Sequence, residues 1–487
     1  MLTRTSTQSL TAQLADRLAE RIRTRLLPPG ARLPSVRECA RQQGVSPYTV
    51  VAAYDQLLAQ GLVEARRQKG FYVRDAAPAN DGRSGSSAGS GNGAEPNGVA
   101  GMPAAMAVQM MASRVPADAS SLIRSMFHRP SDKPQPGMGV FPPDWMASTF
   151  MPTAVRRMTS TAALQELSLQ YGEPSGDTSL RRSLSQKLVG INIPASPEQI
   201  VTTIGATHAL DIVSRTLLRA GDPVMVEEPG WALEFARLEA LGMRILPVPR
   251  RADGPDLEVM AQYCKLHQPK LFVSVSVLHN PTGYSLTPGS AHRVLQLANE
   301  HDFHIVEDDT YSHLAPEHAT RLSALDGLRR TIYVSGFAKI LAPNWRIGFL
   351  AAAPALKERL LETKLLATLT SPTLFERALS WCIDQGQLRR HSERVRIRLD
   401  GARGRAVKLA MSHGCTFASE PAGLFGWVDT GVDTDALTQR MLDQGYLLAP
   451  GSLFHARRPP STMMRINFAT SQDATFWKVF SKVRDGV

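Results

Sequence analysis

The stretch "SGFAKILAPNWRIGF", residues 335–349, sets a single lysine, Lys339, in a run of small residues behind a hydroxyl, with Arg346 seven positions further on. Two apolar runs bound it, "TIYVSG" (331–336) and "FLAAA" (349–353). The same kind of run recurs upstream as "FHIVEDD" (303–309), "LFVSVS" (271–276), "PVMVEE" (223–228) and "QIVTTI" (199–204), with helical stretches between. Short apolar runs that lack polar alternation suit strands buried on both faces. Spaced by helices, they predict βαβ units and a mainly parallel sheet covered on both sides, so the fold class is α/β. Lys339 then lies in a loop just past a strand end.

A chain of 487 residues exceeds what one hydrophobic core serves, and at least two domains are expected. Residues 79–101, "ANDGRSGSSAGSGNGAEPNGVAG", hold no large apolar residue except Val99 and cannot offset the entropy of ordering. The expected division is a small module at 1–75, a flexible linker at 76–134 and a large domain at 135–487. As a coil, the Gly/Ser-rich part of the linker reaches roughly 25 Å. No run of eighteen apolar residues and no hydrophobic leader is present, which leads us to expect a cytoplasmic protein without membrane contact. Cys39, Cys264, Cys382 and Cys415 lie far apart with no CxxC pair, which suggests reduced, buried thiols and no metal site. The net charge of +11 is uneven, since residues 1–75 hold twelve Lys/Arg and six Asp/Glu. A polyanion partner for that end is expected.

Within that module, Leu10, Leu14, Leu18, Ile22 and Leu26 recur every four residues and predict a first helix. A second, "SVRECARQQ", begins with Ser35 as N-cap and stops at Gly44; a third begins with Ser46 as N-cap and Pro47 at the first position, burying Val50, Tyr54 and Leu57. Two short helices joined by "GVS" have the dimensions of a helix-turn-helix, and "LVEARRQKGFYVR" predicts a two-stranded wing with a basic tip. At a major groove the start of the second helix reads bases while hydroxyls and cations hold phosphates. Ser46, Tyr48 and Thr49 occupy that start, and Arg37, Arg66, Arg67 and Lys69 supply cations. Over residues 10–74 the module resembles the GntR family of winged helix-turn-helix regulators. Pro47 stands where that family usually has arginine, and "RRQKGF" replaces its Gly-rich wing tip. The resemblance implies double-stranded operator DNA as partner.

The large domain offers, in order, the groups that a pyridoxal phosphate (PLP) site requires. Lys339 is an amine for a Schiff base. "EDDTY" (307–311) ends a strand and places Asp308 and Tyr311 three apart, an acid for the pyridine nitrogen and a phenol for the ring oxygen. "HNPTG" (279–283) is a turn that presents the amide of Asn280. "GATHAL" (205–210) opens a helix after a strand, so backbone N–H groups near Ala206 and the hydroxyl of Thr207 make an anion site that Arg346 closes. Trp231 in "EEPGWA" offers a flat face.

Over roughly residues 135–485 these motifs resemble fold-type I PLP enzymes of the aspartate aminotransferase family. The resemblance implies that Lys339 carries the internal aldimine, Asp308 pairs with the pyridine nitrogen, Asn280 and Tyr311 bond the ring oxygen, and Trp231 stacks. Ala206, Thr207 and Arg346 would hold the phosphate, together with Ser335. The family usually has Ser or Thr three residues before the lysine, where this chain has Gly336, so a backbone contact from Gly336 is the alternative to the displaced Ser335. Tyr171 in "YGEPSG" matches the tyrosine that reaches the partner subunit's phosphate, implying a domain-swapped homodimer. Arg465 in "MMRINFA" matches the arginine that clamps a substrate or effector carboxylate.

A GntR-like reader, a linker and an aminotransferase-like domain together resemble the MocR subfamily of bacterial transcription regulators. That likeness implies a cytoplasmic, nucleoid-associated protein that senses PLP, alone or joined to an amino acid or amine. The runner-up is a working aminotransferase with a secondary DNA-binding module. A third reading is a plain repressor with a purely structural C-terminal domain.

Overall fold

The computed structural model describes residues 9–23, 27–66, 70–74, 131–160, 164–165 and 169–486. By their internal contacts the residues form two units, 1–99 and 100–487. Leu26, Arg67, Lys69 and the expected linker up to residue 130 lie outside the described residues.

In the N-terminal unit, α1 (Leu10–Arg23), α2 (Val36–Gln43) and α3 (Pro47–Ala59) precede an antiparallel hairpin of β1 (Val63–Arg66) and β2 (Gly70–Val73). Local chemistry sets the ends. The Ser35 hydroxyl accepts the Glu38 N–H, Gly44 closes α2 in the left-handed region, and the Ser46 hydroxyl accepts the Thr49 N–H at 3.1 Å. Val50, Tyr54 and Leu57 face inward onto Leu14, Leu18 and Leu33, and the buried Tyr54 phenol donates to the Pro34 carbonyl.

The C-terminal unit is built on a seven-stranded sheet in the order β3-β9-β8-β7-β6-β4-β5. Its strands are β3 (Ile200–Thr203), β4 (Pro223–Glu228), β5 (Arg244–Pro249), β6 (Leu271–Ser274), β7 (His304–Asp308), β8 (Thr331–Gly336) and β9 (Gly348–Ala351). Helices α4 (Ala206–Leu217), α5 (Ala232–Ala240) and α8 (Pro354–Thr368) supply one apolar cover; α6 (Leu257–His267) and α7 (Pro288–Glu300) pack into another. The α/β class and the six strands read from the apolar runs are all present.

Three features depart from the sequence reading. Strand β9 runs antiparallel to both neighbours, because only residues 337–347 join it to β8 and no crossover helix fits there. Strand β5 was missed because Pro247 and Pro249 look like breakers. It is an edge strand, where a missing donor is tolerated. A second, four-stranded antiparallel sheet, β10 (Thr416–Phe417), β11 (Phe425–Asp429), β12 (Ala449–Pro450) and β13 (Met463–Asn467), follows the long helix α9 (Gln387–Ser412). Ser131 donates to the Gly445 carbonyl and Lys133 to the Gln444 carbonyl, so residues 131–134 pack on this unit.

Candidate functional site

The parallel strands deliver their C-terminal ends to one rim of the sheet, where open α/β folds place ligands. At that rim "EDD" resolves into three separate tasks. Glu307 is buried and accepts the backbone N–H groups of Leu322 and Ser323 at 2.7 and 2.8 Å, besides the Ser276 hydroxyl, so it is a structural anchor. Asp309 is equally buried and accepts from Arg321 at 2.6 Å and Tyr333 at 2.9 Å. Asp308, between them, points the other way and lines a narrow cavity with Trp231, Glu234 and His279. Burial raises its carboxyl to about 6, opposed by the hydrogen bonds from Thr310 and reinforced by the nearby Glu234 carboxylate. Glu234 is itself clamped by both arms of Arg237, at 2.5 and 3.2 Å.

Lys339 sits past the end of β8 and donates to the Gly139 carbonyl at 2.8 Å. Burial, then the charge of Arg465, lower its pKa to about 8, with Asp308 pulling the other way and Arg346 adding to the fall. An amine in that range is a usable nucleophile near neutrality.

Arg465, on β13, is only 4% exposed. One arm donates to the Asn280 side-chain oxygen at 3.0 Å and the other to the Gly137 carbonyl at 2.6 Å. Its Nε has no partner, and among the described residues no carboxylate pairs with it. The guanidinium lies 4.3 Å from the Phe425 ring centre and 5.1 Å from that of Phe454, and burial lowers its pKa to about 10. A buried, cationic fork without a counterion is suited to an incoming carboxylate. Tyr311 is buried edge-on to Phe425, its phenol raised above the usual range by burial.

The anion cup forms where α4 meets β8 and β9. Gly205 caps α4 at φ +82°, and a Cβ on Gly348 would fall 2.6 Å from the Ala206 nitrogen. The helix N-terminus therefore lies directly on the sheet, and only glycine permits that approach. Arg346 donates to the Ile204 carbonyl at 3.2 Å, beside Gly205. Thr207 is half-buried in the first turn.

Lys339, Asp308, Tyr311, Arg465 and Arg346 are thus close enough to influence one another's charge, with Asn280 bonded to Arg465 and Trp231 sharing the cavity of Asp308. Ser335 is not brought to the cup: it is buried, and its hydroxyl donates to the Asp309 carbonyl at 2.9 Å. The Gly336 backbone approaches Ala206 instead. Tyr171 stands apart, 84% exposed. The sequence reading missed Gly137 and Gly139, whose carbonyls orient Arg465 and Lys339, and also Phe425 and Glu234. "GMG" hinted at close backbone approach; nothing marked Phe425.

In the N-terminal unit, Arg37, Ser46, Tyr48 and Arg66 are exposed, Tyr48 at 82%, and Thr49 is half-buried with its hydroxyl 2.8 Å from that of Ser46. Arg66 bonds Glu64 at 2.7 Å and covers the Tyr72 ring at 4.4 Å, which orients its fork.

The family model for aminotransferase class I and II matches residues 139–482, and that for bacterial regulatory proteins of the gntR family matches residues 10–73. The 2-aminoadipate transaminase of Thermus thermophilus is 31% identical over 63% of this chain and 78% of its own. The uncharacterized HTH-type transcriptional regulator YdcR of Escherichia coli is 27% identical across 94% of both chains. The probable rhizopine catabolism regulatory protein MocR of Rhizobium meliloti is 29% identical over 79% of this chain and 73% of its own. Among the described residues no helix is long and apolar enough to cross a membrane.

Proposed function

The chain belongs to the class I and II aminotransferase family and joins that domain to a GntR-type head in the manner of the GntR/MocR regulators; from that premise we propose that it regulates transcription by sensing PLP, or PLP joined to an amino acid or amine, at Lys339. The observation that carries this is the gathered set, a half-buried amine and acid, buried ring-oxygen donors and an anion cup closed by the exposed Arg346, on a chain that also presents an exposed DNA-reading helix.

The residues fit the group. PLP supplies an aldehyde that condenses with an amine and a ring that withdraws electrons. Lys339 offers an amine that is partly neutral at pH 7. Asp308 holds or releases the proton facing the pyridine nitrogen, Asn280 and Tyr311 address the ring oxygen, and Trp231 closes one face. The Ala206 N–H, the Thr207 hydroxyl, the Gly336 backbone and Arg346 receive the phosphate, while Arg465 orients a carboxylate. Tyr171 reaches a second subunit's site in a homodimer, which accounts for a large aromatic residue left 84% exposed.

The head reads operator DNA through Ser46, Tyr48 and Thr49, with Arg37 and Arg66 on phosphates and Arg67 and Lys69 adding charge. A ligand shifts head placement only as far as it binds one arrangement of the dimer better than the other. Binding to the protein's own upstream region, measured with and without PLP at two salt concentrations, tests this. Sensing requires that PLP change the affinity and that Lys339→Ala abolish the change; identical binding in all arms overturns it.

The intact set also supports a second reading, a working transaminase. Mixing the PLP-loaded protein with amino acids and a keto acid separates the two: many turnovers favour the enzyme, whereas a stable spectral shift without turnover favours the sensor.

A further inference from the structure

Helix α9 holds eight of the chain's cations against two acids, Glu393 and Asp400. Its +6 equals the charge of residues 1–75, and together the two segments exceed the net +11, so the other 386 residues sum to −1. All the excess positive charge therefore lies in two places. One is the DNA-reading head.

The pattern of α9 separates two faces. Leu388, His391, Val395, Leu399, Ala402 and Ala406 recur at three and four residues and are buried. Arg389, Arg390, Arg394, Arg396 and Lys408 are exposed. Arg398 pairs with Asp144 at 2.5 Å and Arg403 with Asp400 at 2.6 Å, but the five exposed cations just named have no carboxylate partner among the described residues. Helix stability explains this placement only in part: Glu393 and Asp400 stand four residues after Arg389 and Arg396. Arg389 and Arg390 stand in the first turn, at the positive end of the helix dipole, and Arg390, Arg394 and Arg398 form a like-charge i,i+4 ladder. Both arrangements oppose helix formation.

At 26 residues the helix is about 39 Å long, slightly more than one turn of duplex DNA at roughly 34 Å. A membrane-lying helix would turn its apolar face to lipid, and here that face is buried in the protein, leaving Ile397 and Met411 as the exposed large apolar side chains of α9. A head bound to DNA keeps duplex at high local concentration for the rest of its own chain.

We infer that the outer face of α9 is a second DNA contact, a sequence-independent surface for duplex phosphates on the effector unit, distinct from the base-reading head. It relies on the head only to bring duplex near.

The test uses the full PLP-loaded chain and a 40-base-pair duplex of random sequence, with affinity followed by fluorescence anisotropy over a salt series. Changing Arg389, Arg390, Arg394 and Arg396 together to Gln, a good helix former, is expected to make the slope of log affinity against log salt shallower by roughly 0.9 for each phosphate that is no longer neutralised. The four-Lys counterpart should keep the wild-type slope. Retained cofactor absorbance and a melting temperature no lower than that of the wild type show that the variants are folded. The same flattening should appear when the four changes are added to a Ser46→Ala/Tyr48→Ala head variant, so a failure of the head reading is seen separately, as absent preference for the upstream region in the wild type. An unchanged slope in the Gln variant overturns the proposal, as does loss of binding to phosphatidylserine vesicles with the duplex slope intact.

Discussion

The two units keep their functional atoms in opposite places. The head leaves them in water: Tyr48 is 82% exposed, and Ser46, Arg37 and Arg66 stand at the surface. The effector unit sinks most of them, with Arg465 4% exposed and Tyr311 buried, Asp308 and Lys339 half-buried beside them, and only Arg346 of this group exposed. Exposed groups act through number, charge and shape, each worth little and all screened by salt. Buried groups act singly, because low dielectric magnifies each charge and shifts each pKa. A change in the effector site should therefore be all-or-none where a change in the head is graded.

The sharpest break of that contrast is Lys339→Ala. Covalent capture of PLP should vanish, seen as complete loss of the visible absorbance band on mixing. The variant's affinity for DNA should stay within about twofold of the cofactor-free wild type, because no head residue is touched.

Arg465→Leu comes next. Charge-assisted hydrogen bonds contribute about 1.5–3 kcal/mol, so binding of a carboxylate-bearing amino acid, titrated by the spectral shift, should weaken roughly ten- to hundredfold. A simple amine should be nearly unaffected. Thermal stability should change little, since leucine removes the desolvation cost of a buried charge that has no carboxylate partner among the described residues but leaves the Asn280 side-chain oxygen and the Gly137 carbonyl without their donor.

A smaller effect follows from pH. Capture needs the neutral amine, and Lys339 titrates at about 8, so the initial rate should climb with pH and level off above that value. At pH 7 about one amine in ten is neutral, against about one in three thousand for an ordinary lysine. Arg465 contributes to the lowering, so its replacement by leucine should move the inflection upward. Stopped-flow absorbance across pH 6–9 checks both signs.

The same contrast explains what could be read from the chain alone. Apolar runs announced six strands because burial on both faces leaves no polar alternation, and the caps at Ser35 and Ser46 were visible because hydroxyls there have a local task. Lys339, Asp308, Asn280 and Arg346 were legible from motifs that sit at strand ends or turns. The division of labour in "EDD" was not, since only long-range packing shows that Glu307 ties down residues 322–323 and Asp309 binds Arg321, which leaves Asp308 for the site. Ser335 was misplaced for a related reason: its distance from Lys339 says nothing of which face of β8 it occupies, and its hydroxyl turns to Asp309. The second sheet escaped notice because two of its strands, β10 and β12, are only two residues long, while β11 and β13 contribute Phe425 and Arg465 to a site assembled from residues more than 300 apart.

The smallest expected effect is in the head, at Ser46→Ala. Its hydroxyl accepts the Thr49 N–H at 3.1 Å and lies 2.8 Å from the Thr49 hydroxyl, so one side chain both caps α3 and orients a neighbour proposed to meet DNA. Loss of a cap costs about 1 kcal/mol, which should lower the head's melting transition by a few degrees. If Ser46 also meets a phosphate, operator affinity should fall by roughly fivefold, and the loss should shrink little with salt because a hydroxyl releases no counterion. Ser46→Asp separates the two tasks: aspartate caps as well as serine, so stability should return, but a carboxylate repels phosphate, so binding should drop further. Recovery of both together would make Ser46 a cap alone and leave Tyr48, Thr49 and the wing to read the DNA.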